Sequence, residues 1–341
     1  MKAGLQQIPI QGAAPRLAGN REWDGLPMPT RFWAILAVAF GVSLSVIDGA
    51  IAHVAPTRAR MLGISSANSI WIVNAYQLAI VVSLLSFSAL GDVIGYRKIY
   101  IGGLGIFIVA SLGCTLSDSL ATLVTARVCQ GFGAAAITSV NTTLIRLIYP
   151  RRHLGRGMGV NATVVAVSSV AGPTLASGIL SIATWPWLFA INIPIGLIAC
   201  LLIYRFLPKN PVRIRGRHFD WRDGLMNALT FGLLIASIEG YSHGLKPSYI
   251  GISVILLVLI GTLFVRSQLH KPYPILPFDL LRIPIFSVSV ITSICSFIAQ
   301  MLAMVALPFY LQKTFGYTEV HTGLILTAWP AIIMVVAPIA G

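Results

Sequence analysis

Acidic residues are scarce: 10 Asp and Glu stand in 341 residues, and charged residues of both signs make up 10% of the chain. Soluble domains carry about a quarter. A water-facing globule is therefore excluded, and lipid is the solvent this sequence suits. Cysteine is rare as well, and Cys114, Cys129, Cys200 and Cys295 all fall inside apolar runs, with no CxxC pair and no histidine at metal-ligand spacing. They read as small packing residues, not as a disulfide framework or a metal site. There is no HExxH, no phosphate-binding glycine loop and no soluble catalytic domain, so an enzyme is disfavoured and no cofactor is expected. The alternating pattern of an outer-membrane barrel is missing too.

What the chain has is long apolar runs, each sufficient to cross about 30 Å of hydrocarbon at 1.5 Å per residue. They predict spans at 33–56, 70–90, 99–117, 120–145, 157–180, 187–206, 224–240, 249–265, 284–310 and 322–341. Backbone groups in lipid must be satisfied within each segment, so the spans are helices and the fold class is an all-α membrane protein with about ten transmembrane helices. The first 32 residues are polar, rich in Gly and Pro, and lack a cleavable signal pattern; they predict a mobile cytoplasmic tail. Short connections such as Ser117 to Leu120 make consecutive helices antiparallel neighbours. The Pro-containing basic stretch 207–223 reads as a cytoplasmic linker that follows a six-helix bundle at 33–206. An apolar span running to Gly341 without a polar tail suggests a truncated chain.

The formal net charge of +14 invites a nucleic-acid reading, but the placement of the 24 Lys and Arg decides otherwise. With the N-terminus inside, the inner segments hold nineteen of them, the outer segments hold Arg58, Arg60, Lys246 and Lys313, and Arg127 lies within a span. That is the positive-inside asymmetry, and it places both ends in the cytoplasm. A nucleic-acid face would not alternate by loop.

An ionisable group inside hydrocarbon is a functional candidate by default. Asp48 in span one and Arg127 in span four qualify. A carboxylate in a bundle can exchange a proton, while an Arg, which does not readily release its own, can stabilise the ionised partner. A packing contact is the alternative for both. His53 is either a relay or a satisfied near-surface histidine, and Glu239 reads as interfacial. Trp71, Asn74, Tyr76 and Gln77 on span two either line a cavity, where aromatic faces attract lipophilic cations, or belong to the interfacial belt.

After span two comes Gly91-Asp92-Val93-Ile94-Gly95-Tyr96-Arg97-Lys98, whose glycines allow a tight turn across which Asp92 meets the basic pair. This segment resembles the signature of the major facilitator superfamily, where it forms a cytoplasmic charge lock. Arg127, Gln130, Gly131, Gly133 and Ala134 resemble that superfamily's fourth-helix motif. Ala171-Gly172-Pro173-Thr174-Leu175-Ala176-Ser177-Gly178 resembles its antiporter motif, departing at Ser177. The Asp48 segment and Phe189, Asn192, Pro194 and Gly196 are similar to the fourteen-helix drug:proton antiporter branch, with departures at Ala50, at His53 and after Ala55.

The resemblance implies a major facilitator-type bundle, with two linker helices at 224–265 and the start of a second bundle at 266–341. It implies proton-coupled export of lipophilic, cationic drugs across the inner membrane. Asp48 and Arg127 would couple protons; Gly91, Asp92, Gly95, Arg97 and Lys98 would form the lock. Gly172, Pro173 and Gly178 would form the antiporter motif, and Asn74, Tyr76, Gln77 and Gln130 would line the cavity. Partners are then drugs, protons and the bilayer, with a periplasmic adaptor left open and nucleic acid excluded. A symporter of the same fold, or a truncated carrier that does not transport alone, are the competing readings.

Overall fold

The chain is described here by a computed structural model over residues 24–52, 66–207, 219–242, 244–271 and 274–317, with a few positions between 322 and 336. Most of the expected tail, most of the basic linker, His53 and most of the tenth expected span lie outside the described residues.

The first six helices are α1 (Thr30–Ala52), α2 (Ser66–Ile94), α3 (Tyr96–Thr115), α4 (Leu120–Ile148), α5 (Leu154–Ile182) and α6 (Asn192–Phe206). A one-turn helix, Trp187–Ala190, leads into α6. Three more follow: α7 (Trp221–Ser242), α8 (Pro247–Leu269) and α9 (Pro284–Phe315). Local chemistry sets the helix ends. Ser119 Oγ accepts from the Thr122 amide at 3.3 Å while Thr122 Oγ1 accepts from the Ser119 amide at 3.2 Å, a reciprocal cap that starts α4 at Leu120. Expected as an eight-residue loop, the segment 91–98 is interrupted only at Gly95, whose φ of 114° lies where side chains do not fit comfortably. Gly91 and Asp92 thus belong to the last turn of α2, and Arg97 and Lys98 to the first turn of α3.

Packing groups α1 to α6 into one bundle: α4 lies against α2 and α3, α1 against α5 and α6, and α3 against α6. Its core includes Val38, Leu44, Tyr100, Leu104, Phe107, Ile137, Leu144 and Ile203. The helices approach closely where side chains are absent. A Cβ on Gly131 would lie 2.5 Å from the Tyr76 carbonyl oxygen, so α2 and α4 can touch only with glycine there.

Outside this bundle, α7 packs on α2, and α8 on α7. Eight segments among the described residues are long and apolar enough to cross a membrane; α7 covers the expected seventh span as a 22-residue helix but is less apolar than these. Its polar groups explain the difference, since they serve contacts with neighbours: Asn227 Nδ2 donates to the Val82 carbonyl at 3.0 Å, and Ser237 shares a 2.9 Å hydrogen bond with Ser253 of α8.

Candidate functional site

Four helices of the first bundle bring polar side chains to one buried point. Asp48 comes from the later part of α1, Arg127 and Gln130 from the first half of α4, Ser111 and Cys114 from the end of α3, and Asn192 from the first residue of α6. Helical periodicity accounts for the local sets. Residues 127 and 130, like 111 and 114, are three apart and so share one face of their helix.

The carboxylate of Asp48 is completely buried and takes three donors. Arg127 Nη1 donates to Oδ2 at 2.5 Å, while Gln130 Nε2 and Asn192 Nδ2 each donate to Oδ1 at 2.8 Å. Gln130 is held at both ends of its amide. Its Oε1 accepts from Arg127 Nη1 at 2.7 Å, and its Nε2 also donates to Ser111 Oγ at 2.9 Å. Arg127 is just as buried; its Nε donates to the Ile72 carbonyl at 3.1 Å, and its guanidinium lies 4.1 Å from the Tyr76 ring centre and 5.7 Å from that of Phe189. Tyr76 is fixed in turn by donating to the Ser45 carbonyl at 3.0 Å. Arg127 Nη2 is buried with no partner in the structure.

Every group facing Asp48 is a donor, which suits an ionised, acceptor-only carboxylate. A proton on Oδ2 would have to displace the Arg127 N–H. Splitting a fully buried pair of this kind costs about 3–5 kcal/mol, because one charge is left uncompensated. The arrangement is a buried carboxylate held by three donors, one of them a cation.

The remaining sequence candidates are spread through the fold. Tyr76 and Gln130 join the Asp48 network, whereas Asn74 donates to Glu239 of α7 at 2.8 Å and Gln77 is exposed. Glu239, read as merely interfacial, thus links α7 to α2. Asp92 accepts from the Tyr96 hydroxyl, and Arg97 Nη2 donates to the Tyr204 carbonyl of α6 at 2.5 Å; Lys98 is exposed. Gly172 is buried within α5, while Pro173 and Gly178 lie on its exposed side. Sequence reasoning missed Ser111 and Cys114, whose i, i+3 spacing was the available signal, and gave Asn192 no site role although it opens the sixth helix.

A bundle of helices long and apolar enough to cross a membrane defines a polytopic membrane protein. The family model of the Major Facilitator Superfamily matches residues 32–341, and the chain belongs to that family. It is 60% identical over 319 residues to the transporter YebQ of Escherichia coli (strain K12), covering 93% of this chain and 70% of YebQ. It is 30% identical over 319 residues to the riboflavin transporter RibZ of Clostridioides difficile (strain 630), covering 92% of this chain and 68% of RibZ. It is 28% identical over 323 residues to the multidrug resistance protein Stp of Mycobacterium tuberculosis (strain CDC 1551 / Oshkosh), covering 92% of this chain and 58% of Stp. Roughly a third or more of each relative's length is thus not matched. The chain is a major facilitator transporter with an all-helical fold.

Proposed function

We propose that this chain carries the proton-coupling half of an exporter that exchanges lipophilic, cationic small molecules for protons across the inner membrane. The observation that carries the reading is the Asp48–Arg127 pair, with both side chains fully buried and joined at 2.5 Å. In the proposed cycle a proton reaching Asp48 from outside displaces Arg127 and favours the state that releases substrate outward. Loss of that proton on the inner side restores the pair and the state that captures substrate. Differential affinity of the two states then drives transport. Tyr76 and Gln130 transmit the state of the pair to the cavity, to which Asn74 and Gln77 also contribute. The Gly91–Lys98 segment acts as the lock at the cytoplasmic end, where both termini lie, and Gly172, Pro173 and Gly178 give α5 the surface on which the second bundle moves. A periplasmic adaptor is compatible with this arrangement.

The likeness to Stp supports a drug substrate, and the likeness to RibZ supports a second reading, carriage of a flavin-like planar nutrient. Everted vesicles containing this chain separate the two. A lipophilic cation added to energised vesicles should release protons, read with a pH-sensitive dye, and Asp48→Asn should abolish that release. If Asp48→Asn protein inserts stably and still exchanges protons for the cation, the coupling role is wrong. Proton movement triggered by riboflavin but not by the cation favours the nutrient reading.

A further inference from the structure

At one end of the first bundle three helix termini meet: α1 begins at Thr30, α3 begins at Tyr96 and α6 ends at Phe206, with α6 packed against both of the others. Their outer surface is a continuous aromatic row. The Trp33 and Phe206 rings stack with centroids 5.5 Å apart and planes inclined by 18°, and Phe32 sets its edge against Trp33 at 5.6 Å. Beside this row, Arg205 lies 5.6 Å from the Phe206 ring centre and Arg97 lies 5.5 Å from that of Tyr204, which is 74% exposed.

The charge of this patch is mainly basic: Arg97, Lys98 and Arg205 stand against one nearby acid, Asp92, which accepts from the Tyr96 hydroxyl. The stretches 30–36, 96–100 and 200–207 contain no Asp or Glu. Arg97 is anchored to the Tyr204 carbonyl at the C-terminal end of α6, where the helix dipole favours cations. Lys98 and Arg205 are exposed, and neither has a carboxylate partner among the described residues. The contrast is with Lys271, which is clamped between Asp220 at 2.6 Å and Asp223 at 2.7 Å.

We propose that this face is a binding site for an anionic phospholipid, with Lys98 and Arg205 holding the headgroup phosphate and the acyl chains lying along Trp33, Phe206 and Tyr204. Indole and phenol rings settle at headgroup depth, and basic side chains at that depth attract anionic leaflets. A soluble anion would use the charges but has no use for the aromatic row, which is why a lipid is the better occupant. The assignment stands on the membrane-edge position of these residues and is independent of what the protein transports.

The test is native mass spectrometry of the full chain in neutral detergent, titrated with dioleoylphosphatidylglycerol or dioleoylphosphatidylcholine. The phosphatidylglycerol preference expected is about 5- to 25-fold, roughly a factor of five for each basic side chain. Arg205→Gln should remove about one such factor and Lys98→Gln/Arg205→Gln nearly all of it. Arg205→Lys, which keeps the charge, should retain the preference, and so should Arg266→Gln, which lies elsewhere. Equal retention of the two lipids, or a preference that survives the double substitution, overturns the site. Inorganic phosphate displacing phosphatidylglycerol at millimolar concentration would assign the charges to a free anion and overturn it too.

Discussion

Replacing Asp48 by Asn tests the buried pair most directly. Asn is nearly isosteric, so cavity formation is not at issue. Its oxygen can keep the donors from Gln130 and Asn192, which both point at Oδ1. Its NH2 group, however, replaces Oδ2, so donor faces donor where Arg127 Nη1 now sits at 2.5 Å. Arg127 remains charged and fully buried, with only its bonds to Gln130 and the Ile72 carbonyl. Removing one member of such a pair costs about 3–5 kcal/mol. At about 2 °C per kcal/mol for a chain of this size, the unfolding midpoint in detergent should fall by about 6–10 °C. The paired variant Asp48→Asn/Arg127→Gln removes the orphaned charge and should recover at least half of the loss, while leaving vesicle proton exchange abolished. A fall of less than about 2 °C for the single variant would refute the argument. So would a double variant whose loss is the sum of the two singles, because coupled neighbours do not add.

Two further outcomes follow from features remote from that pair. Gly131→Ala places a methyl 2.5 Å from the Tyr76 carbonyl oxygen and 2.7 Å from Ala79 Cβ, so α2 must move off α4; a loss of about 1–3 kcal/mol in thermal unfolding is expected, and an unchanged midpoint would mean the crossing is looser than described. At the start of α7, the hydrogen bond from Lys271, helped by the Arg222 amide, holds the Asp220 carboxyl below the usual carboxylate range. A depressed folded-state value stabilises above the unfolded pKa and is lost as pH falls through the folded one, so amide-exchange protection at the α7 N-terminus should weaken below about pH 4. The effect is small because Asp220 is 45% exposed, and Asp220→Asn should erase the pH dependence. Protection that keeps its pH dependence in that variant would refute the assignment.

Much of the helix layout was legible, because span length leaves a linear trace. The apolar run expected at 120–145 is α4, Leu120–Ile148. Asp48 and Arg127 were each legible as charges in the wrong solvent. That they touch was not. In lipid the outward and inward sides of a helix are equally apolar, so sequence does not reveal its rotation: Phe107 is wholly buried and Val109, two residues on, is 71% exposed. Without that rotation Ser111, Cys114 and Asn192 could not be brought to the pair. The segment 91–98 shows the opposite error, in which two glycines suggested a loop while the backbone needed only Gly95 to leave the helix.

The separation of the two partners along the chain bears on how the protein is made. Asp48 and Arg127 lie 79 residues apart, so at about 5–20 residues per second α1 waits roughly 4–16 s before its counter-charge is synthesised. A lone Asp opposes partition of an inserting helix into lipid by about 2.5–3.5 kcal/mol at the helix centre, and by less at the position of Asp48 in the later part of α1. During that interval α1 would be held at the translocon or in contact with α2, and the arrival of α4 would release it sideways into the bilayer. The same pair would thereby set the order of assembly, with a nascent chain cut between α3 and α4 leaving α1 more easily extracted from the membrane than one that has reached Arg127.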